Sequence, residues 1–282
     1  MIVPLQTKGD RQPWYCVHPA GGQVHWYYEL SRSMGEKRPF YGIQASALAK
    51  KDVGISDQLS TMAAQYVAEL REFQPDGPYL LAGWSIGGSI ALEMARQLQA
   101  AGAEVAMTAL IDSLCFPRLQ GEFPEKDELN SLLAFAADMT GQQAVSPAIR
   151  QAWRQELAAV PEATRASHLL RKLLTSKLLP SGLDANYLIR SLKVYLASSR
   201  VGLQTGSSEL YRGELGLIRC SDTIAARADG FTLPGDADNF GWQAGCANPI
   251  RNHEIPGNHY SIFSKERVGN LAAVLIGLSI GR

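Results

Sequence analysis

The chain has 282 residues, with 27 basic and 27 acidic side chains and no net charge at pH 7. Neutral overall and without runs of like charge, it is not built for nucleic acid or an anionic membrane as its main partner, and no apolar run reaches the length of a membrane span. A hydrophobic fraction of 46% over this length is enough for one large core, or one core plus a subdomain.

The first element is WYCVH, residues 14–18, aromatic and β-branched and ending at Pro19 and a glycine pair. It reads as a strand feeding a tight loop. QVHWYYELSRSM follows, with Tyr27, Leu30 and Met34 at helical spacing, and PFYGIQ, residues 39–44, reads as the next strand. Ser56 is placed to cap a helix running to about Phe73, since Leu59, Met62, Tyr66, Leu70 and Phe73 form one apolar face. Pro75 stops it and Asp76-Gly77-Pro78 makes a turn. Tyr79 to Trp84 is a continuous apolar run, as expected of a strand covered on both faces. Ile86 to Ala101 is helical and ends at Gly102. Val105 to Ile111 is again a strand. Such alternation predicts a parallel sheet with right-handed crossovers.

From about Phe116 to Leu210 the strand signals vanish. ELNSLLAFAADM, ASHLLRKLLTSKLL and ANYLIRSLKVYLAS read as three amphipathic helices separated by Pro161 and Pro180-Ser181-Gly182. A helical block of this size inside an alternating chain reads as an insertion. The alternating pattern resumes with ELGLIRC, residues 214–220. The stretch from Asp222 to Arg251, rich in Gly, Ala and Asp, reads either as a solvated loop or as one that shapes a cleft or docking surface. HEIPGNHYSIF and an apolar helix from Val268 to Ile280 complete the pattern.

Cys16, Cys115, Cys220 and Cys246 are scattered, with no CxxC pair and no zinc-like spacing, so they read as buried free thiols. MIVPLQTKGD lacks the basic n-region and apolar h-region of a signal peptide. The expected setting is the reducing cytoplasm.

One motif carries chemistry. Gly83-Trp84-Ser85-Ile86-Gly87 fits G-x-S-x-G between a predicted buried strand and a predicted helix, the context that a nucleophile elbow requires. There the serine oxygen sits at a helix N-terminus, where dipole and free N–H groups favour negative charge. A serine needs a base. His168 falls beside leucines in a predicted insert helix, His25 opens a helix, His253 falls in a strand, and His18 shapes the loop before Pro19. His259 lies on a loop before the last helix and fits the hydrolase chain order of serine, acid, histidine. The acid must orient the imidazole. Asp112 and Asp222 both end predicted strands after the serine, and the residues alone leave both open. An oxyanion hole needs two backbone donors. Ile86 follows the nucleophile, and His18-Pro19-Ala20-Gly21-Gly22 is the early strand–loop junction that supplies the second.

VPLQ near the start, VHPAGG, QPDGPYLLAGWSIGGSIALEMARQLQAAGAEVAMTALIDS and EIPGNHYSIF resemble, in order and spacing, the thioesterase domains that end nonribosomal peptide synthetases and polyketide synthases. The resemblance implies one thioesterase domain over 1–282 with an α/β-hydrolase fold, a mostly parallel central sheet flanked by helices. The core would be about 1–115 and 211–282, with a helical lid inserted at about 116–210, after the sixth strand. It favours Asp112 over Asp222 as the acid and gives Ala20 as the second oxyanion donor. The implied activity is release of an acyl or peptidyl chain from the phosphopantetheine arm of a carrier protein, through a Ser85 acyl-enzyme, by hydrolysis or macrocyclisation, in nonribosomal peptide or polyketide biosynthesis. No cofactor or metal is expected on the domain itself, which is expected to be monomeric. The rival readings are a stand-alone editing thioesterase, a carboxylesterase or lipase on the same fold, and a non-catalytic binding protein. The last should lack a triad member, and none is missing.

Overall fold

The computed structural model describes residues 1–50, 54–115, 127–140, 146–176, 178–179, 183–204, 209–222 and 239–280. Seven strands form one sheet: β1 Ile2–Gln6, β2 Trp14–Val17, β3 Phe40–Ile43, β4 Tyr79–Trp84, β5 Val105–Ile111, β6 Leu215–Cys220 and β7 Arg251–Ile255, in the order β1-β3-β2-β4-β5-β6-β7. β1 is antiparallel to β3, and every other pairing is parallel. The helices are α1 Tyr28–Ser33, α2 Ser46–Ala49, α3 Leu59–Phe73, α4 Ile86–Ala100, α5 Glu128–Thr140, α6 Pro147–Ala158, α7 Glu162–Thr175, α8 Ala185–Gly202 and α9 Val268–Leu278. This is the expected α/β-hydrolase architecture with its helical insert.

The period of two along each strand sorts side chains into two layers. Tyr15, Val17 and Leu81 face a core shared with α3 and α4. Trp14, Cys16, Leu80, Ala82 and Trp84 face the other, closed by α1 and α9. All six residues of β4 are buried, which explains its unbroken apolar run. The four cysteines are buried, and none of them forms a disulfide. Among the described residues no helix is long and apolar enough to cross a membrane.

The insert follows the fifth described strand rather than the sixth. Its four described helices have an apolar core of their own, including Leu132, Phe135, Trp153, Leu169, Leu173, Leu188 and Leu192. These leucines pack the helices to one another. The boundary expected near 115–116 abuts residues outside the described ones.

Three expectations change. Ser56 does not cap α3. The N-cap is Gln58, without a side-chain cap, and the Ser56 hydroxyl instead accepts from Gln58 N at 3.1 Å. The Leu59 N–H is satisfied from across the molecule by Gln204 Oε1 at 2.9 Å, so a residue just after α8 caps a core helix. The insert also contains a fourth helix, α6, whose Ile149, Trp153 and Leu157 recur once per turn. Ser146 accepts from Ile149 N, with proline at the first helical position. That cap and that spacing were its legible signals. Finally, the Gly/Asp-rich stretch is not simply solvated. Residues 223–238 lie outside the described ones, but Phe240 and Trp242 beyond them are buried in the main core.

Candidate active site

Ser85 and Asp112 each stand one residue past the end of a strand, yet both stay tied to the sheet. Ser85 N donates to Ile111 O at 2.9 Å, and Asp112 N donates to Ile218 O at 2.7 Å. Both have positive φ, 58° for Ser85 and 44° for Asp112. Among the described residues Phe240 is the one other non-glycine that does. Side chains rarely adopt this conformation, and it is held only where the surroundings fix it. At Ser85 the surroundings are two close backbone approaches. A Cβ on Gly83 would lie 2.0 Å from Gly87 O, and one on Gly87 would lie 2.5 Å from Val17 O and 2.6 Å from His18 O. Only glycines let the end of β4, the start of α4 and the end of β2 meet so closely. The two small residues of the motif are thus required by packing.

The Gly87 approach sets the His18–Gly22 turn against the N-terminus of α4, where the first N–H groups have no intrahelical partner. Ile86 is the first residue of that helix, and Ala20 is part-buried between the main core and the insert core. The turn is fixed by Gly22 N donating to Pro19 O at 2.9 Å and by His18 beneath it. His18 is fully buried. Its Nδ1 lies 2.7 Å from Pro19 O, an acceptor, so Nδ1 carries the proton and Nε2 accepts from the Tyr66 hydroxyl at 2.6 Å. Burial lowers the His18 pKa to about 4, which keeps the ring neutral. His18 is therefore a strut for the turn. The Tyr27 hydroxyl ties the same region together, donating to Val17 O at 2.5 Å and accepting from Trp84 N at 3.1 Å.

His259 reaches the site from the loop between β7 and α9. Its Nδ1 lies 2.6 Å from Asp112 Oδ2. The Asp112 side chain is fully buried and that of His259 is 23% exposed. The other carboxylate oxygen, Oδ1, accepts from Cys220 N at 3.1 Å. With the carboxylate accepting, Nδ1 carries the proton and Nε2 is left with a lone pair. The ring packs on Trp84 at 4.8 Å and on Tyr260 edge-on at 5.2 Å. Trp84 immediately precedes Ser85, so the imidazole packs against a residue of the G-x-S-x-G turn.

Asp222, the other candidate acid, is elsewhere. It is exposed, its backbone N donates to Gly257 O at 3.0 Å, and its carboxylate accepts from the Ser221 hydroxyl at 3.0 Å. His168 pairs with Glu156 at 2.7 Å within the insert, His25 opens a 3-10 turn, and His253 lies in β7.

Sequence reasoning missed two groups of supporting residues. Trp242 Nε1 donates to Ser113 O at 2.8 Å and Cys115 N donates to Phe240 O at 3.0 Å, bracing the chain just after Asp112. The two aromatics in an otherwise Gly/Asp-rich stretch were the available signal. The second group joins the insert to both loops beside Ser85. The Tyr260 hydroxyl donates to Asp138 Oδ1 of α5 at 3.2 Å, and burial raises the Tyr260 pKa. On the opposite side Gln23 Nε2 donates to the Tyr187 hydroxyl of α8 at 3.3 Å. Nothing in a linear pattern marks contacts between positions this far apart. Among the described residues no cluster of three or more His, Cys, Asp or Glu could hold a metal ion.

A buried carboxylate, an imidazole oriented by it, and a serine at a strained strand–helix turn can together perform acyl transfer. Comparison with known proteins agrees with that chemistry. A family model for the thioesterase domain matches residues 12–276. The chain is similar to chondramide synthase cmdD of Chondromyces crocatus, at 26% identity over 277 residues, which cover 98% of this chain and 7% of that protein. It is 42% identical over 113 residues to a dimodular nonribosomal peptide synthase of Bacillus subtilis strain 168, covering 40% of this chain and 5% of the relative. Among solved structures it is similar to holo-AB3403, a four-domain nonribosomal peptide synthetase bound to AMP and glycine. There the TM-score is 0.80 at 26% identity, over 100% of this chain and 20% of that one. The chain thus spans a small part of the length of these relatives. It belongs to the thioesterase-domain family, in the form carried by nonribosomal peptide synthetases.

Proposed function

We propose that the chain releases an acyl or peptidyl group from the phosphopantetheine thioester of a carrier protein, through an ester on Ser85. The observation that carries this is the 2.6 Å contact of His259 Nδ1 with buried Asp112, packed against the residue that precedes Ser85. His259 Nε2 takes the Ser85 proton as the oxygen attacks the thioester carbonyl. Negative charge develops on the carbonyl oxygen at the N-terminus of α4, where the N–H groups of Ile86 and Ala20 stabilise it. The C–S bond breaks, the thiol leaves with the proton from His259, and the acyl group remains on Ser85. Asp112 stays ionised and stabilises the imidazolium.

His259 then activates a second nucleophile. Water gives a linear acid, and an amine or hydroxyl of the bound chain gives a ring. Both end with Ser85 reprotonated. The four-helix insert, joined to the base loop at Tyr260–Asp138 and to the Ala20 loop at Gln23–Tyr187, supports a site from which water is partly excluded, the condition that favours ring closure.

The test compares turnover of carrier-bound thioesters with that of simple oxygen esters of the same acyl group, with products separated into linear and ring forms. A strong preference for the carrier-bound thioester is expected. Equal or better turnover of the free oxygen esters would instead identify a general carboxylesterase.

A further inference from the structure

The turn that follows the Ala20 loop brings an indole towards the base. Trp26 lies in the 3-10 turn His25–Tyr27, and its ring is half-buried against the core layer that α1 and α9 close. It meets Trp84 edge-on at 5.2 Å and Tyr260 at 6.0 Å. These are the two rings that pack on the His259 imidazole, at 4.8 Å and 5.2 Å. Trp84 is buried, whereas Trp26 and Tyr260 keep part of their surface exposed. The end of α5 reaches the same side of the site from the insert. Asp138 accepts from the Tyr260 hydroxyl at 3.2 Å, and Sδ of Met139, the next residue, lies 4.0 Å from Gln23 Nε2. Two consecutive residues of α5 thus touch the base loop and the segment between the Ala20 turn and Trp26. The part-exposed side chains gathered here include an indole, a phenol and a thioether, groups that favour aromatic and apolar partners over water.

We propose that Trp26 selects the second nucleophile, the one that takes the acyl group from Ser85, and that it seats an amine or hydroxyl borne beside an aromatic ring, a reading that rests on the function proposed above. His259 Nε2 has to receive the nucleophile's proton, so the nucleophile attacks the ester from the imidazole side. That is the side on which Trp26 and Tyr260 stand. An amine forms a C–N bond to the acyl carbon while the bond from that carbon to Ser85 Oγ breaks. Its proton passes to His259 Nε2 and from there to Ser85 Oγ, which leaves an amide and a free serine hydroxyl. Water follows the same path and gives the acid. An aromatic ring attached near the amine stacks on, or meets edge-on, the rings of Trp26 and Tyr260, and a water molecule gains nothing from either. At equal intrinsic reactivity the ring-bearing amine is therefore held at the ester more often.

The test supplies the protein with hexanoyl-pantetheine together with phenethylamine and butylamine, each at the same concentration of free base, and measures both amides and hexanoic acid. The wild-type protein is expected to form about tenfold more of the phenethyl amide than of the butyl amide. Trp26→Ala is expected to bring that ratio towards one. Trp26→Phe should keep most of it, and Trp26→Leu, which retains apolar bulk without a ring, should lose it. A ratio near one in the wild-type protein, a ratio that survives both Trp26→Ala and Trp26→Leu, or acid with neither amide overturns the proposal. Intact mass is read on the same samples. An acyl adduct on Ser85 together with equal amides overturns the role of Trp26 alone, whereas the absence of any adduct overturns the proposed function and the role of Trp26 with it.

Discussion

His259 Nδ1 and Asp112 Oδ2 meet at 2.6 Å across 147 residues of chain. Asp112 is fixed from both ends, its backbone N bound to Ile218 O and its second carboxylate oxygen to Cys220 N. Asp222 makes no approach of this kind and is exposed. Asp112→Asn is therefore expected to lower kcat by up to about 10⁴-fold, because an amide favours the wrong imidazole tautomer. Asp222→Asn should change it by less than about twofold. Steady-state kinetics on one thioester substrate check both. A large loss in Asp222→Asn with Asp112→Asn intact would reverse the assignment of the acid.

Gly87→Ala is expected to destabilise the fold by about 1–3 kcal/mol, since its Cβ would meet the carbonyl oxygens of Val17 and His18, which are backbone and cannot swing aside. Gly277→Ala, on an exposed part of α9 with nothing within 4 Å of the added methyl, should stabilise by about 0.5–1 kcal/mol. Urea unfolding of the two variants separates the cases.

The pH dependence of stability should carry the signature of His18. Its pKa is lowered to about 4 by burial, against an ordinary value of 6.5. Between these values the unfolded chain binds a proton that the folded chain does not, so stability rises with pH across this window and is lost as pH falls from 6.5 towards 4. The loss is on the order of 3 kcal/mol. Thermal melts at a series of pH values should show a slope in this range that is reduced by about one proton in His18→Gln, the lowered pKa values of His25 and His253 supplying the remainder.

Tyr260 offers two separable changes. Tyr260→Phe keeps the ring against Trp84 and His259 and removes the hydroxyl from Asp138. It is expected to cost about 0.5–1.5 kcal/mol of stability. Tyr260→Ala also removes the ring beside the imidazole, and should lower kcat by about tenfold or more as His259 loses its packing. Denaturant unfolding together with kcat for both variants checks the split. Equal kcat in the two would remove the ring from any role in positioning His259.

The alternation of elements, the buried run of β4 and the placement of Ser85 at a strand–helix turn were all legible, because each is a local pattern with a local cause. His259 was singled out by chain order and loop context, and it is the histidine that meets Asp112. The residues left Asp112 and Asp222 open, because both follow a strand and only the three-dimensional position of the His259 loop separates them. The Ser56 cap failed for a related reason, since Gln204, 145 residues downstream of Leu59, supplies the acceptor. Helix α6 carried a cap and a one-per-turn apolar spacing but only a narrow apolar stripe among charged and polar residues, and β1 is a half-buried edge strand. Supports such as Trp242 to Ser113 and Tyr260 to Asp138 are long-range side-chain contacts with no period to read.

The most direct measurement is intact-mass analysis of the protein after brief exposure to an acyl-pantetheine thioester, with peptide mapping of the adduct. The expected result is one added acyl group on Ser85, absent in Ser85→Ala and strongly slowed in His259→Ala. An acyl group mapped to another residue, or His259→Ala acylating at the wild-type rate, would contradict Ser85 as a nucleophile activated by His259.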